Sequence, residues 1–192
     1  MIERIRKNKK VAIVYSIING KGEILMEVSP HAPMFYLQGY QSENIVPGLE
    51  SALEGHKEGD EFSVELSCEQ AFGPYDRRLV IEVAKEELTP FIDDFCVGGY
   101  IEHFEHDYDD DMSDSERFMR EIENDSQPEG FVIKEIRRNT VILDGNHPYA
   151  GMDLLFRVRV VSVADASIME LENGYPRESE NEDDSYYYGE TY

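Results

Sequence analysis

Few residues of this chain are arranged for acid–base, nucleophilic or metal chemistry. Its densest run of such groups is HFEHDYDDD, His103 to Asp111. An H-x-x-H step among carboxylates could bind a divalent ion. On a strand, however, His103 and His106 point to opposite faces. The run therefore reads as a solvated acidic loop, and neither a metal nor a cofactor is assigned. The other candidates are aromatic. By alternation alone, Tyr15, Phe72 and Phe156 are ordinary core aromatics, and Leu49 is a core residue on any reading.

The elements that must hold these side chains follow from hydrophobic period. Apolar residues at 11, 13, 15 and 17 alternate along a strand, NGKGE (Asn19 to Glu23) is a turn, and Ile24 to Val28 completes a hairpin. Phe62, Val64 and Leu66 form a second half-dry strand, and Phe156, Val158 and Val160 a third. Leu49, Ala52 and Leu53 share one face of a short helix, Leu49 to Glu54, that can cover a mostly antiparallel sheet. The middle of the chain gives four further strands, at Leu79 to Val83, Tyr100 to Phe104, Phe131 to Ile136 and Val141 to Leu143, with a helical turn at AKEELTP (Ala84 to Pro90). Between the second and third of these, Ser113 and Glu116 have capping-box spacing. Phe118, Met119 and Ile122 then form a narrow apolar stripe, which predicts a short amphipathic helix.

Composition narrows the partners. Asp and Glu outnumber Lys and Arg by 41 to 18, a formal charge of −23 over 192 residues. Nucleic acid is excluded, because a phosphate backbone needs compensating cations. The basic start MIERIRKNKK followed by VAIVYSII resembles a signal segment only superficially. Tyr15 and Ser16 interrupt the apolar stretch, which is also too short to span a bilayer. No membrane association is expected. Two cysteines, Cys68 and Cys96, fit reduced thiols in a cytoplasmic protein. From Leu171 the chain turns acidic and poor in aliphatic residues, which predicts a disordered tail over 171–192. The tyrosine run Tyr186 to Tyr188 suggests no function.

Four stretches together resemble the FK506-binding-protein (FKBP) type of peptidyl-prolyl isomerase, and within it the bacterial SlyD branch. They are PGLESALEGHKEGD (Pro47 to Asp60), AFGPYD (Ala71 to Asp76), DGNHPYAG (Asp144 to Gly151) and LLFRVRVVSV (Leu154 to Val163). The resemblance implies an α+β fold: an FKBP-like antiparallel half-barrel around a short helix, with a small β-rich insert-in-flap domain. The isomerase domain would comprise 1–74 and 146–170, and the insert 75–145.

It also implies a site. Tyr15 matches the tyrosine of the first strand, and Met26 and Glu27 the aromatic–acidic pair of the next. Met34 and Tyr36 match pocket-lining positions, Ile45 or Val46 would offer its backbone to a bound peptide, and Leu49 would form the pocket floor. Phe156 matches the aromatic of the last strand, while Phe72 and His147 complete the rim. Phe72 departs from the family, which has a tyrosine there. The SlyD branch carries a His- and Cys-rich metal-binding tail; the tail here has neither residue, so nickel binding is not carried over.

The implied function is cis–trans isomerisation of X-Pro bonds together with ATP-independent chaperoning. The partners would be unfolded or proline-containing polypeptides, bound by a monomer, with Phe118, Met119 and Ile122 of the insert holding the client. Rotation about such a bond needs neither nucleophile nor metal. It needs a dry cleft that disfavours the planar amide and a polar handle or two that hold the twisted one. A binding-only holdase is the main alternative, favoured by Phe72, and a metal-storage role is a weaker one.

Overall fold

The computed structural model describes residues 3–40, 44–88, 95–102 and 130–177. The expected helix around Phe118, the His103 to Asp111 run and the tail from residue 178 lie outside these residues. The chain divides into two compact units, Met1–Gly73 with Gly151–Tyr192, and Pro74–Ala150.

The first unit is a five-stranded antiparallel sheet. β1 (Lys9–Ile18) turns through the Asn19 side chain, whose amide oxygen accepts from the backbone N–H of Lys21 and Glu23 at 3.0 Å each, into β2 (Ile24–Glu27). β3 (Met34–Leu37) then pairs with the first half of β1. Period 2 did not reveal β3, because its sequence, MFYL, is apolar throughout and too short to alternate visibly. β4 (Glu61–Leu66) and the long β9 (Leu154–Asp165) complete the sheet in the order β2-β1-β9-β4, with β3 also on β1.

Val11, Ile13, Ile17, Phe156, Val158, Val160 and Leu66 are all buried, and the ladder register places them on one face. Helix α1 (Pro47–Leu53) adds Leu49 and Leu53, at 1% and 0% exposure. Pro47 opens α1, where a missing N–H costs nothing. Gly48 is there for space. A Cβ on it would lie 2.7 Å from the Gln70 carbonyl oxygen and 2.9 Å from Leu66 Cδ2.

The second unit is a four-stranded antiparallel sheet. β5 (Val80–Ala84), β6 (Tyr100–Glu102), β7 (Gly130–Ile136) and β8 (Thr140–Asp144) lie in the order β5-β8-β7-β6, and a single helical turn, α2 (Lys85–Leu88), follows β5. Val83, Leu88, Ile101, Phe131, Ile133, Val141 and Leu143 form its core. Asp144 is the buried polar residue at its base. It accepts from the Tyr75 hydroxyl at 2.9 Å and the Asn146 backbone N–H at 2.9 Å, and pairs with Lys134 at 3.3 Å. Burial pushes its carboxyl up, but the hydrogen bonds from Asn146, Tyr75 and Lys134 together outweigh that and hold it below the usual carboxylate range.

The divisions of the structure fall near the expected boundaries without coinciding with them, and Pro74, assigned to the isomerase segment, lies in the second unit. Residues 146–150, assigned to the isomerase segment, fall in the second unit because Asn146 is tied there. Its side chain accepts from the Asp76 N–H at 2.7 Å and donates to the Asp76 carbonyl at 2.8 Å. Residues 171–173, assigned to the tail, belong to helix α3 (Ile168–Asn173). Ser167 and Glu170 form a capping box, and Gly174 ends the helix in the left-handed region. Composition pointed to the tail, and the caps decided otherwise. No helix among the described residues is long and apolar enough to cross a membrane.

Glu170 also makes a pH-dependent latch. It is 5% exposed, pairs with Lys10 at 2.9 Å and accepts from the Arg177 N–H at 2.9 Å. Burial raises its carboxyl, yet Lys10 and these N–H donors overcome that and bring it down to about 2. A depressed folded pKa means that the stabilisation is complete above the unfolded value of 4.5 and disappears as pH falls to about 2. We expect Glu170→Gln to remove on the order of 2–3 kcal/mol at neutral pH and to flatten the acid limb of a urea-denaturation series. An unchanged acid limb would refute the latch.

Candidate active site

Two strands bring two of the aromatic candidates together. Tyr15 and Phe156 lie on adjacent strands, their ring centroids 5.9 Å apart and tilted by 40°, a separation favourable for aromatic pairs. The Tyr15 hydroxyl donates to Met34 Sδ at 3.6 Å. Met34 stands opposite Ile13, and Tyr36 opposite Val11, on the same face. Tyr15, Met34, Val46 and Phe72 are half-buried; Ile45, Leu49, Tyr36 and Phe156 are buried.

Tyr36 is part of a brace rather than a free handle. Its hydroxyl donates to Gln38 Oε1 at 2.9 Å, Gln38 Nε2 donates to the Glu50 carbonyl at 3.3 Å, and Glu50 Oε1 accepts from the Gly39 N–H at 2.6 Å. β3 is thereby tied to α1. Burial first, and the Glu50 charge second, push the Tyr36 hydroxyl well above its ordinary range. It stays protonated and keeps donating to Gln38.

The entry to α1 is polar only through its backbone. Val46 is the N-cap and offers no side-chain bond; its carbonyl accepts from Leu49 N–H at 3.0 Å and Glu50 N–H at 3.1 Å. The Ile45 peptide differs. Among the described residues neither its N–H nor its C=O has a hydrogen-bond partner. Its side chain is 6% exposed. A backbone donor and acceptor left over in a bend is a means of holding an extended peptide.

The structure does not gather all the candidates. The register sets Met26 opposite Ile17 but Glu27 opposite Ser16, so Glu27 projects from the other face, away from Tyr15 and Phe156. Neighbours on one strand cannot share a face, and pairing Met26 with Glu27 overlooked that. Met26 itself is 42% exposed. His147 lies in the second unit, its ring 5.2 Å from that of Tyr149 and its Nδ1 accepting from the Tyr149 N–H at 3.1 Å. Phe118, Met119 and Ile122 lie outside the described residues. Sequence reasoning missed Gln38 and Glu50 altogether. Gly48 left a signal, since glycine inside a helix often marks close backbone approach.

No family model matches the chain. Curated proteins do. It is 35% identical to an FKBP-type peptidyl-prolyl cis-trans isomerase SlyD of Pasteurella multocida (strain Pm70), over 90% of this chain and 75% of the relative. Proteins of the same description from Yersinia pestis and Escherichia coli (strain K12) are each 33% identical over 90% of the chain, covering 77% and 76% of their lengths. With its antiparallel sheets and few short helices, the chain belongs to the FKBP-type peptidyl-prolyl cis-trans isomerases. Within that family the relatives it matches are the SlyD proteins.

The wall depends on how closely α1 approaches the sheet, and this can be tested. Gly48→Ala gains helix propensity but drives a methyl into the Gln70 carbonyl, which the backbone cannot yield without moving. We expect a net loss of about 1–2 kcal/mol, read from the midpoint of urea unfolding. Unchanged or raised stability would show that α1 has room to move.

Proposed function

We propose that this chain isomerises X-Pro bonds of unfolded or partly folded polypeptides, using the wall formed by Tyr15, Met34, Leu49 and Phe156 and the backbone of Ile45. The observation that supports the reading is the Ile45 peptide, unpartnered among the described residues, in the same unit as the aromatic pair of Tyr15 and Phe156. The Ile45 N–H would donate to a carbonyl of the substrate backbone, and the prolyl ring would lie against the aromatic wall. An apolar surface disfavours the charge-separated planar amide more than the twisted one, which has lost its resonance. A few kcal/mol from a barrier of about 18–20 kcal/mol is what such a site has to supply. Glu27 is left out of the proposed cleft. His147, which lies in the second unit, is left out as well, and Met26, Tyr36, Val46 and Phe72 are kept as shaping or rim residues.

The second unit is proposed as the insert-in-flap domain and as the part that captures clients, a role in which Phe118, Met119 and Ile122 remain candidates. Support comes from Val97 and Tyr100, which expose 66% and 60% of their surface beside a packed core. A cytoplasmic monomer is the proposed working form. The second reading, a holdase with little turnover, is favoured by Phe72, which supplies no hydroxyl at the position where the resemblance implies a tyrosine.

Proline-limited refolding of a model substrate tests both readings. A catalytic amount of the chain should accelerate the slow phase. If the slow phase is untouched while aggregation of a heated client is still suppressed, the holdase reading stands and the isomerase one fails. Ile45→Pro, which deletes the proposed donor, should lower kcat/KM by about tenfold, the equivalent of one hydrogen bond, with circular dichroism confirming the fold. Phe72→Tyr should raise the rate a few-fold. Replacing residues 105–129 by a short linker should abolish aggregation suppression; retention of full suppression would remove the client-holding role.

A further inference from the structure

The sheet's other face carries an arginine pair with no partner among the described residues. Arg157 and Arg159 project from β9 on the side away from α1. Arg159 stands between Val14 and Glu61, and Arg157 between Ser16 and Ser63. Both are exposed, and among the described residues neither guanidinium has an ion pair or hydrogen bond, even though Glu61 is directly across the ladder from Arg159. They line a depression of about 510 Å³ together with Val28, Pro30, Val14 and Ser16. Glu27 and Glu61 share this depression, so its sign is mixed rather than basic. In a chain of charge −23 it is still a place where two cations lack a carboxylate partner among the described residues.

The last described residues of the first unit are tied to this same face. Lys10, Ala12, Val14 and Ser16 share the outer side of β1 by strand period, and Ala12 and Val14 are buried there. Glu170 of α3 is held there by Lys10 at 2.9 Å and in turn holds the N–H of Arg177 at 2.9 Å. Beyond Arg177 the sequence reads ESENEDDSYYYGETY, residues 178–192. From Lys10 to Ser16 is six strand residues, about 20 Å. Glu182 to Asp184 lie five to seven residues beyond Arg177, a reach of up to about 17–25 Å. The acidic run is therefore long enough to arrive at the arginines, and the three tyrosines after it can cover Val28 and Pro30 or stack on a guanidinium plane.

We propose that residues 178–192 dock back onto the outer face of their own sheet, carboxylates on Arg157 and Arg159 and tyrosines over Val28 and Pro30. This is independent of the isomerase reading. Each exposed ion pair is weak, but tethering supplies an effective concentration near the millimolar range, so several weak contacts suffice.

The test uses the full chain and a second full chain in which the tail carboxylates are neutralised (Glu178→Gln, Glu180→Gln, Glu182→Gln, Asp183→Asn, Asp184→Asn, Glu190→Gln). Amide chemical shifts should differ between the two at Val14, Ser16, Ser63 and Arg157 to Arg159. The differences should fade as salt rises past about 0.3 M and should not change on dilution. Differences confined to the neighbours of Arg177, or growing with protein concentration as docking by a second copy would make them, overturn the proposal. So does persistence of the same differences when Arg157→Gln and Arg159→Gln are added to both chains. A labelled peptide of residues 178–192 gives a second measurement on an unaltered sheet. It should bind the neutralised chain at least about tenfold tighter than the native chain, whose own tail competes. Equal binding to both overturns the proposal.

Discussion

The first unit depends on the approach of α1, at Gly48, to the end of β4 and the turn that follows it. There is no room for a methyl between this residue, the Gln70 carbonyl and Leu66. With α1 that close, Leu49 and Leu53 reach full burial. The helix is too short to be stable by itself and has no side-chain N-cap. Its order is borrowed from the sheet, and the proposed cleft is ordered only as well as this contact.

A second tie fixes the helix from its other side. Tyr36, Gln38 and Glu50 form a hydrogen-bonded chain from β3 into α1. Buried polar groups cost stability unless every donor and acceptor is used, so such a chain specifies one docking of the strand against the helix. The peptide of Ile45 lies in the bend between these two fixed pieces. A backbone handle is useful to a ligand only if it does not wander, and here both flanking elements are held.

Much of this was legible in the sequence, for reasons that differ element by element. β4 and β9 alternate cleanly, because one face is dry and the other wet, whereas β1 was legible from its larger apolar residues at odd positions although Ala12 and Val14 are buried too. The two separate sheets were visible because a long acidic connection interrupts the apolar pattern between the strands of the second. β3 was not legible, because a four-residue strand with no polar face has no period. Nor was the side from which Glu27 projects, since a family match aligns positions along the chain and not faces of a strand; only the register to Ser16 decides it. Helix α3 was hidden by composition, and Ser167 and Glu170, three apart, were the cap that marked it.

The hydroxyl inventory of the wall bears on how the proposed chemistry would work. The Tyr36 hydroxyl is committed to Gln38, and burial keeps it so. Tyr15 gives its proton to a thioether sulfur, a weak acceptor. Phe72 has none to give. A substrate amide held there would therefore be gripped chiefly by the chain's own backbone and by apolar contact, with few side-chain donors in competition. Such a grip reads the shape of a prolyl ring and the direction of a backbone more than any neighbouring side chain. On the proposed reading that suits an enzyme meeting prolines in many unfolded sequences, and it accepts a slower turnover for wider choice. The same scarcity of donors makes the holdase reading a difference of degree: the cleft that binds without turning the bond and the cleft that turns it differ by the worth of one or two hydrogen bonds, about 1–3 kcal/mol.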